Sequence, residues 1–93
     1  MLYMMEWAIK ADSYDKAHDR FLEGAAPMPE GATLVGRWHA PGSVNGWLLV
    51  ETDKPETIYV HAAEWGDVIG WETTPVFTDE QAGASSSEGR GRR

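Results

Sequence analysis

The sequence predicts a small α+β domain of the ferredoxin-like kind, a βαββαβ chain folded into one four-stranded antiparallel sheet with two helices on a single face. Three observations predict it. Four segments are rich in strand formers. Two segments show helical spacing and helix-start chemistry. Those two follow the first and third strands, so the order reads as two β-α-β halves. With 93 residues there is room for one domain. A chain this short buries only about 60–65% of its unfolded surface, so its core is thin and assembly would help it.

The first strand runs from Leu2 to Ile9, apolar on both phases, which predicts burial on both faces. The first helix has Asp12 as its expected cap, Tyr14, Ala17, Phe21 and Leu22 at helical spacing, and Gly24 as its stop. Pro27 and Pro29 stiffen the connector that follows. The second strand is expected over Thr33–Ala40, a turn over Pro41–Ser43, and the third strand over Asn45–Thr52. A hairpin centred on Ser43 would set His39 opposite Trp47, Arg37 opposite Leu49 and Val35 opposite Glu51. Asp53 and Glu56 read as a capping box for the second helix, with Ile58, Ala62 and Trp65 inward and Gly66 as its end. The last strand runs from Val68 to about Phe77. The folded domain is placed at residues 1–80. Residues 81–93, rich in Gly, Ser and Arg, are expected to be a disordered tail.

Charge and composition narrow the function classes. The net charge is −7, and the three arginines and single glutamate from Gly83 onward carry +2, so the first 82 residues carry −9. An acidic body repels phosphate backbones and anionic lipid, so no nucleic-acid or membrane partner is expected at the folded domain. Aromatics on an open four-stranded sheet are the device of RNA-recognition domains, but the glutamates there argue against that use. There is no cysteine, hence no disulfide or thiolate site. No apolar run approaches the ~20 residues of a membrane helix, no leader is evident, and a cytoplasmic location is expected. Dinucleotide, phosphate-loop and nucleophile-elbow motifs are absent.

Strand alternation sorts the side chains into two faces. One phase holds Tyr3, Met5, Trp7, Ile9, Leu34, Trp38, Leu48, Val50, Ile69 and Trp71, and is expected under the helices. The other holds Met4, Glu6, Arg37, His39, Trp47, Leu49, Glu51 and Glu72. It is too apolar for water alone. Its area is on the order of 400 Å² in flat projection, and a monomer rarely exposes an apolar patch much beyond a few hundred Å². Pairing by a two-fold axis would close it, so a homodimer is expected.

The mixed face supplies the candidate ligand-binding residues: Glu6, Arg37, His39 and Trp47, with Glu51 and Glu72 in support. Acids, a titratable imidazole and an indole converging in a partly dry space suit a small-molecule pocket. Arg37 with Glu51 or Glu72 reads first as a cross-strand or interface ion pair, His39 as a satisfied or exposed imidazole before a turn, and Glu6 as either a ligand contact or a dimer-pairing residue. His18 and His61 lie on the helices, apart from this pocket, and the His61/Glu64 spacing is too little for a metal site. No cofactor is expected. Trp7, Trp38, Trp65 and Trp71 read as packing residues, Trp47 as the exception.

Several stretches carry a family resemblance: Met1-Leu2-Tyr3-Met4-Met5-Glu6-Trp7, Phe21-Leu22, Pro27-Met28-Pro29-Glu30-Gly31, Leu34-Val35-Gly36-Arg37-Trp38-His39-Ala40 and Thr74-Pro75-Val76. Over residues 1–80 the chain resembles domain-of-unknown-function family 3303, within the dimeric α/β-barrel superfamily. The resemblance implies a ferredoxin-like protomer and a homodimer whose two sheets enclose a barrel-like interior. It implies no reaction. The wider superfamily includes cofactor-free monooxygenases, haem-degrading enzymes, stress-response proteins and ligand sensors, so fold alone does not select a function. The expectation is a homodimer that binds a small, partly apolar molecule between its sheets. The alternatives are a cofactor-free oxygenase or isomerase using His39 or Glu6 as base, and a structural dimer without a ligand.

Overall fold

The structure is a computed structural model that describes residues 1–93. The order is β1 (Leu2–Ile9), α1 (Tyr14–Gly24), β2 (Ala32–His39), β3 (Asn45–Thr52), α2 (Glu56–Glu64), β4 (Ile69–Val76) and α3 (Asp79–Gly91). The strands form one antiparallel sheet in the order β2-β3-β1-β4. This is the ferredoxin-like α+β arrangement the sequence predicts, extended by a third helix.

β1 is central because it is apolar on both phases and can pair on both edges. Met5 lies opposite Leu48 on β3 and Thr73 on β4, and Trp7 lies opposite Gly46 and Trp71. On the face under the helices, Met5, Leu48, Val50 and Val68 are fully buried and pack with Trp7, Ala17, Ile58 and Ile69. Each large side chain so buried contributes about 1.5–3 kcal/mol. Gly46 has a steric role here. A Cβ at this position would collide with the Trp7 indole, so glycine lets that ring lie flat across β3. The core is thin, as expected: only 13 of the 93 residues are buried.

The hairpin register differs from the expected one. Trp38 faces Trp47, His39 faces Gly46 and Arg37 faces Leu48. A bulge between Leu34 and Gly36 absorbs one residue, so the pairs below it run Leu34–Val50 and Thr33–Glu51. One extra residue inverts every side chain beyond it. Leu34 keeps the helix side, but Arg37 and His39 turn under the helices and Trp38 turns out, 54% exposed. A Cβ on Gly36 would stand 2.5 Å from the Trp38 ring, which folds over that glycine on the open face.

The helix starts also differ. Ser13 takes the N-cap position of α1, with no side-chain cap, and Asp12 is left-handed at φ 62°. α2 starts after Pro55, and Asp53 is fully exposed, so the expected capping box does not form. A buried threonine pair anchors that corner instead. Thr52 Oγ1 donates to Gly31 O at 2.8 Å and accepts from the Lys54 amide at 2.9 Å, while Thr57 Oγ1 donates to Lys54 O at 2.7 Å. Arg20 of α1 grips Asp67 through two hydrogen bonds of 3.0 and 2.6 Å, with Lys16 at 3.1 Å. These bonds hold the Asp67 carboxyl well below the usual carboxylate range.

The segment expected to be a disordered tail is helical. Thr78 and Gln81 form a reciprocal capping box: Thr78 Oγ1 accepts from the Gln81 amide, and the Thr78 amide donates to the Gln81 side chain at 2.9 Å. α3 buries no residue and adds to the 52 Å long axis.

Candidate functional site

An apolar cavity of about 70 Å³ lies between the helices and the sheet. Its floor is sheet: Trp7 and Ile9 of β1, Leu48 of β3, and Ile69 and Trp71 of β4. Its roof is Ala17, His18 and Phe21 of α1 with His61 and Trp65 at α2. Arg37 and His39 of β2, with Ser43 of the hairpin turn, form the side where it meets solvent.

The roof arises from helical spacing. Tyr14, Ala17, His18 and Phe21 fall at i, i+3, i+4 and i+7, one inward stripe with a histidine in it. On α2 the inward residues are Thr57, Ile58 and His61. His61 is 1% exposed, so the structure corrects the expectation that both helical histidines stand apart from the pocket. Leu22, also at helical spacing, lies off this stripe and is 80% exposed.

His39 sits between two aromatic edges, its ring centre 5.0 Å from that of Trp7 and 5.5 Å from that of Phe21. Its Nδ1 is hydrogen-bonded to Ser43 Oγ at 2.7 Å, and its Nε2 makes no hydrogen bond within the chain. Burial lowers its pKa, and the nearby Arg37 charge and His18 lower it further, all of which favour the neutral imidazole. Burial also lowers the pKa of His61, against the opposing pull of Glu64. Glu64 Oε1 stands 3.6 Å from His61 Nδ1, beyond hydrogen-bond distance, and Nδ1 has no partner. His18 Nε2 and Trp71 Nε1 are likewise buried without a partner.

Arg37 is half-buried, and burial lowers its pKa. Its Nη1 and Nη2 donate to the carbonyls of Ala25 and Ala26, at 3.3 and 2.8 Å, and its guanidinium lies 5.7 Å from the Phe21 ring centre. It forms no ion pair; the expected pairing with Glu51 or Glu72 is absent because Arg37 lies on the opposite face. No carboxylate lines the cavity.

The other expected contact residues lie on the open face. The registers align Glu72, Glu6, Trp47 and Trp38 in one row across the four strands. Glu51 is not a neighbour of Glu6: it lies opposite Leu2 and binds the Met1 amino group at 2.6 Å. The six candidates therefore divide: Arg37 and His39 are brought together under the helices, and Glu6, Trp47, Glu51 and Glu72 face outward. The cavity adds His18, Phe21, His61 and Trp71. The sequence signal for the two histidines was their position on the inward stripes. Nowhere do three or more His, Asp or Glu side chains converge as they would to hold a metal ion. No helix is long and apolar enough to cross a membrane.

No curated protein and no solved structure matches the chain. A family described as Domain of unknown function (DUF3303) matches residues 1–90, which takes the similarity past the expected limit of residue 80 and into α3. With nearly its whole length matched, the chain belongs to the DUF3303 family.

Proposed function

We propose that this protein is a small-molecule-binding homodimer, in which the open sheet faces pair and each protomer holds a small planar ligand in the cavity beneath its own helices. One observation carries this reading: an apolar cavity whose wall includes His61, 1% exposed and with an unpartnered Nδ1. Buried polar atoms without partners cost about 1–3 kcal/mol each and are uncommon in folded domains. A ligand with polar atoms on an aromatic frame would offset that cost while filling the space. Its size is bounded, since a cavity of about 150 Å³ is what accepts benzene; a ligand here enters with part of its ring and extends past His39 to the mouth.

In this reading Glu6, Trp47, Glu51 and Glu72 belong to the pairing surface, together with Trp38. Trp38 at 54% and Trp47 at 37% exposure form an aromatic patch of the kind that anchors interfaces. Two-fold pairing of these faces would make the barrel-like assembly of the dimeric α/β-barrel superfamily. A second reading, enzymatic, is favoured by one feature: the His39 Nε2 is unengaged in the cavity wall, and the surroundings favour the neutral imidazole that a general base for an acidic C–H or O–H substrate requires.

Saturation-transfer NMR with benzamide and benzoate as probes tests the binding reading. At least one probe is expected to bind saturably, and Phe21→Trp, which narrows the cavity, is expected to abolish that binding at an unchanged melting temperature. Saturable binding that survives Phe21→Trp unaltered would overturn the assignment.

A further inference from the structure

The cavity is polarised in a way that selects its occupant. The body of the protein is strongly acidic, yet the cavity wall holds one arginine, three histidines and no carboxylate. The two arginines of the folded body are treated in opposite ways. Arg20 lies outside the cavity and is held by Asp67 through a fork of hydrogen bonds. Arg37 donates hydrogen bonds only to the neutral carbonyls of Ala25 and Ala26. A guanidinium carries five N–H donors, so about three remain unused. A half-buried cation with no counter-ion is an expensive arrangement, since its lost hydration is replaced only by dipoles. Its planar donor fork matches a carboxylate.

Around that charge the wall is aromatic and flat. The Phe21 ring lies beside the guanidinium, His39 stands two residues along β2 on the same face, and Trp7 meets the His39 edge. The neutral imidazole adds a hydrogen-bonding group without competing for the anion. Nothing in the wall would pair with a ligand cation.

We infer that the occupant is a small planar organic anion, of the aromatic carboxylate class, with Arg37 as its counter-ion and its ring against Phe21, His39 and Trp7. This rests on the binding reading above and adds the charge of the ligand to it.

The test compares two probes of the same shape, benzoate and benzamide, by calorimetric titration at pH 7 into the full chain, Arg37→Gln and Arg37→Lys. Benzoate is expected to bind the native chain at least about tenfold more tightly than benzamide, as one charge-assisted hydrogen bond provides. Arg37→Gln keeps a donor for the Ala26 carbonyl; it is expected to remove the preference while benzamide binding, which also reports an intact fold, persists. Arg37→Lys is expected to restore most of the preference. Equal affinity of the native chain for the two probes, or a benzoate preference that survives in Arg37→Gln, would overturn the charge assignment alone. Absence of binding by either probe would overturn the binding reading with it.

Discussion

Leu48 and Leu49 are neighbours in β3 and share almost everything but the side of the sheet. Leu48 is 1% exposed beneath the helices, against Met5 and Arg37, while Leu49 is half-buried on the open face between Met4 and Gly36. The covered face is a small core with a defect in it: an apolar cavity that keeps an unpaired arginine and two unpartnered histidines. The open face is the reverse, a layer of partly exposed apolar and aromatic side chains crossed by a row of two glutamates, Glu72 and Glu6, and two tryptophans, Trp47 and Trp38. In the proposed reading, one face serves as the ligand site and the other as the joining surface. The pleat of the strands assigns each residue to one or the other.

The largest effect that would sharpen this contrast is on stability. Leu48→Ala is expected to cost about 2–5 kcal/mol in urea unfolding, and Leu49→Ala much less in dilute monomer. A larger loss at Leu49 than at Leu48 would invert the account of the two faces. The next effect concerns assembly. Trp38→Arg on the open face is expected to weaken self-association at least about tenfold by sedimentation, since central aromatic anchors contribute about 2 kcal/mol or more. The secondary structure of this variant should stay intact. A native chain that sediments as a monomer at micromolar concentration would remove the pairing role.

A smaller effect is the pH dependence of folding. The pKa values of His61 and His39 are lowered in the folded state by burial, by Arg37 and, for His39, by His18, with only Glu64 opposing at His61. The unfolded chain therefore takes up protons more readily as pH falls below about 6.5. The stability these neutral imidazoles carry is present above that pH and lost as pH drops through their folded values. Melting temperature should fall between pH 7 and 5, and His61→Leu should flatten the decline. A profile that is unchanged in His61→Leu would place the titration elsewhere. The smallest effect is expected at the C-terminus. α3 buries nothing and is rich in Gly and Ser, poor helix formers. Removing residues 79–93 should shift the melting temperature little, and amide exchange in α3 should be fast. Strong protection there would show that the helix has a partner surface.

The sequence made most of the scaffold legible, for reasons that also explain its failures. β1 and β3 are readable because alternation and apolar runs are local signals, and the βαββαβ order carries the two β-α-β halves. The second half of β2 was misassigned because a bulge is a one-residue event that alternation alone does not reveal. The lone Gly36 within the strand was its available mark. Carrying one phase through Val35 placed Arg37 and His39 on the open face and Trp38 in the core. A pocket expected on the open face leaves His18 and His61, on the helices, apart from it, although their spacing with Ala17, Phe21 and Ile58 puts both on inward stripes. The tail was judged by composition, while the Thr78-x-x-Gln81 pattern that starts α3 was also present. Half of the cavity wall is thus hidden by one inserted residue, and half by expecting the pocket on the face away from the helices.

The five tryptophans supply the most direct test, because the two faces divide them. Trp7, Trp65 and Trp71 line the cavity, and Trp38 and Trp47 stand on the open sheet. Benzoate titrated into nitrogen-15-labelled protein, with the indole resonances assigned by single Trp→Phe variants, reads both faces at once. With benzoate beneath the helices, the Trp7 and Trp71 indole signals are expected to move while those of Trp38 and Trp47 stay fixed. Movement confined to Trp38 and Trp47 would contradict this and place the ligand between the sheets.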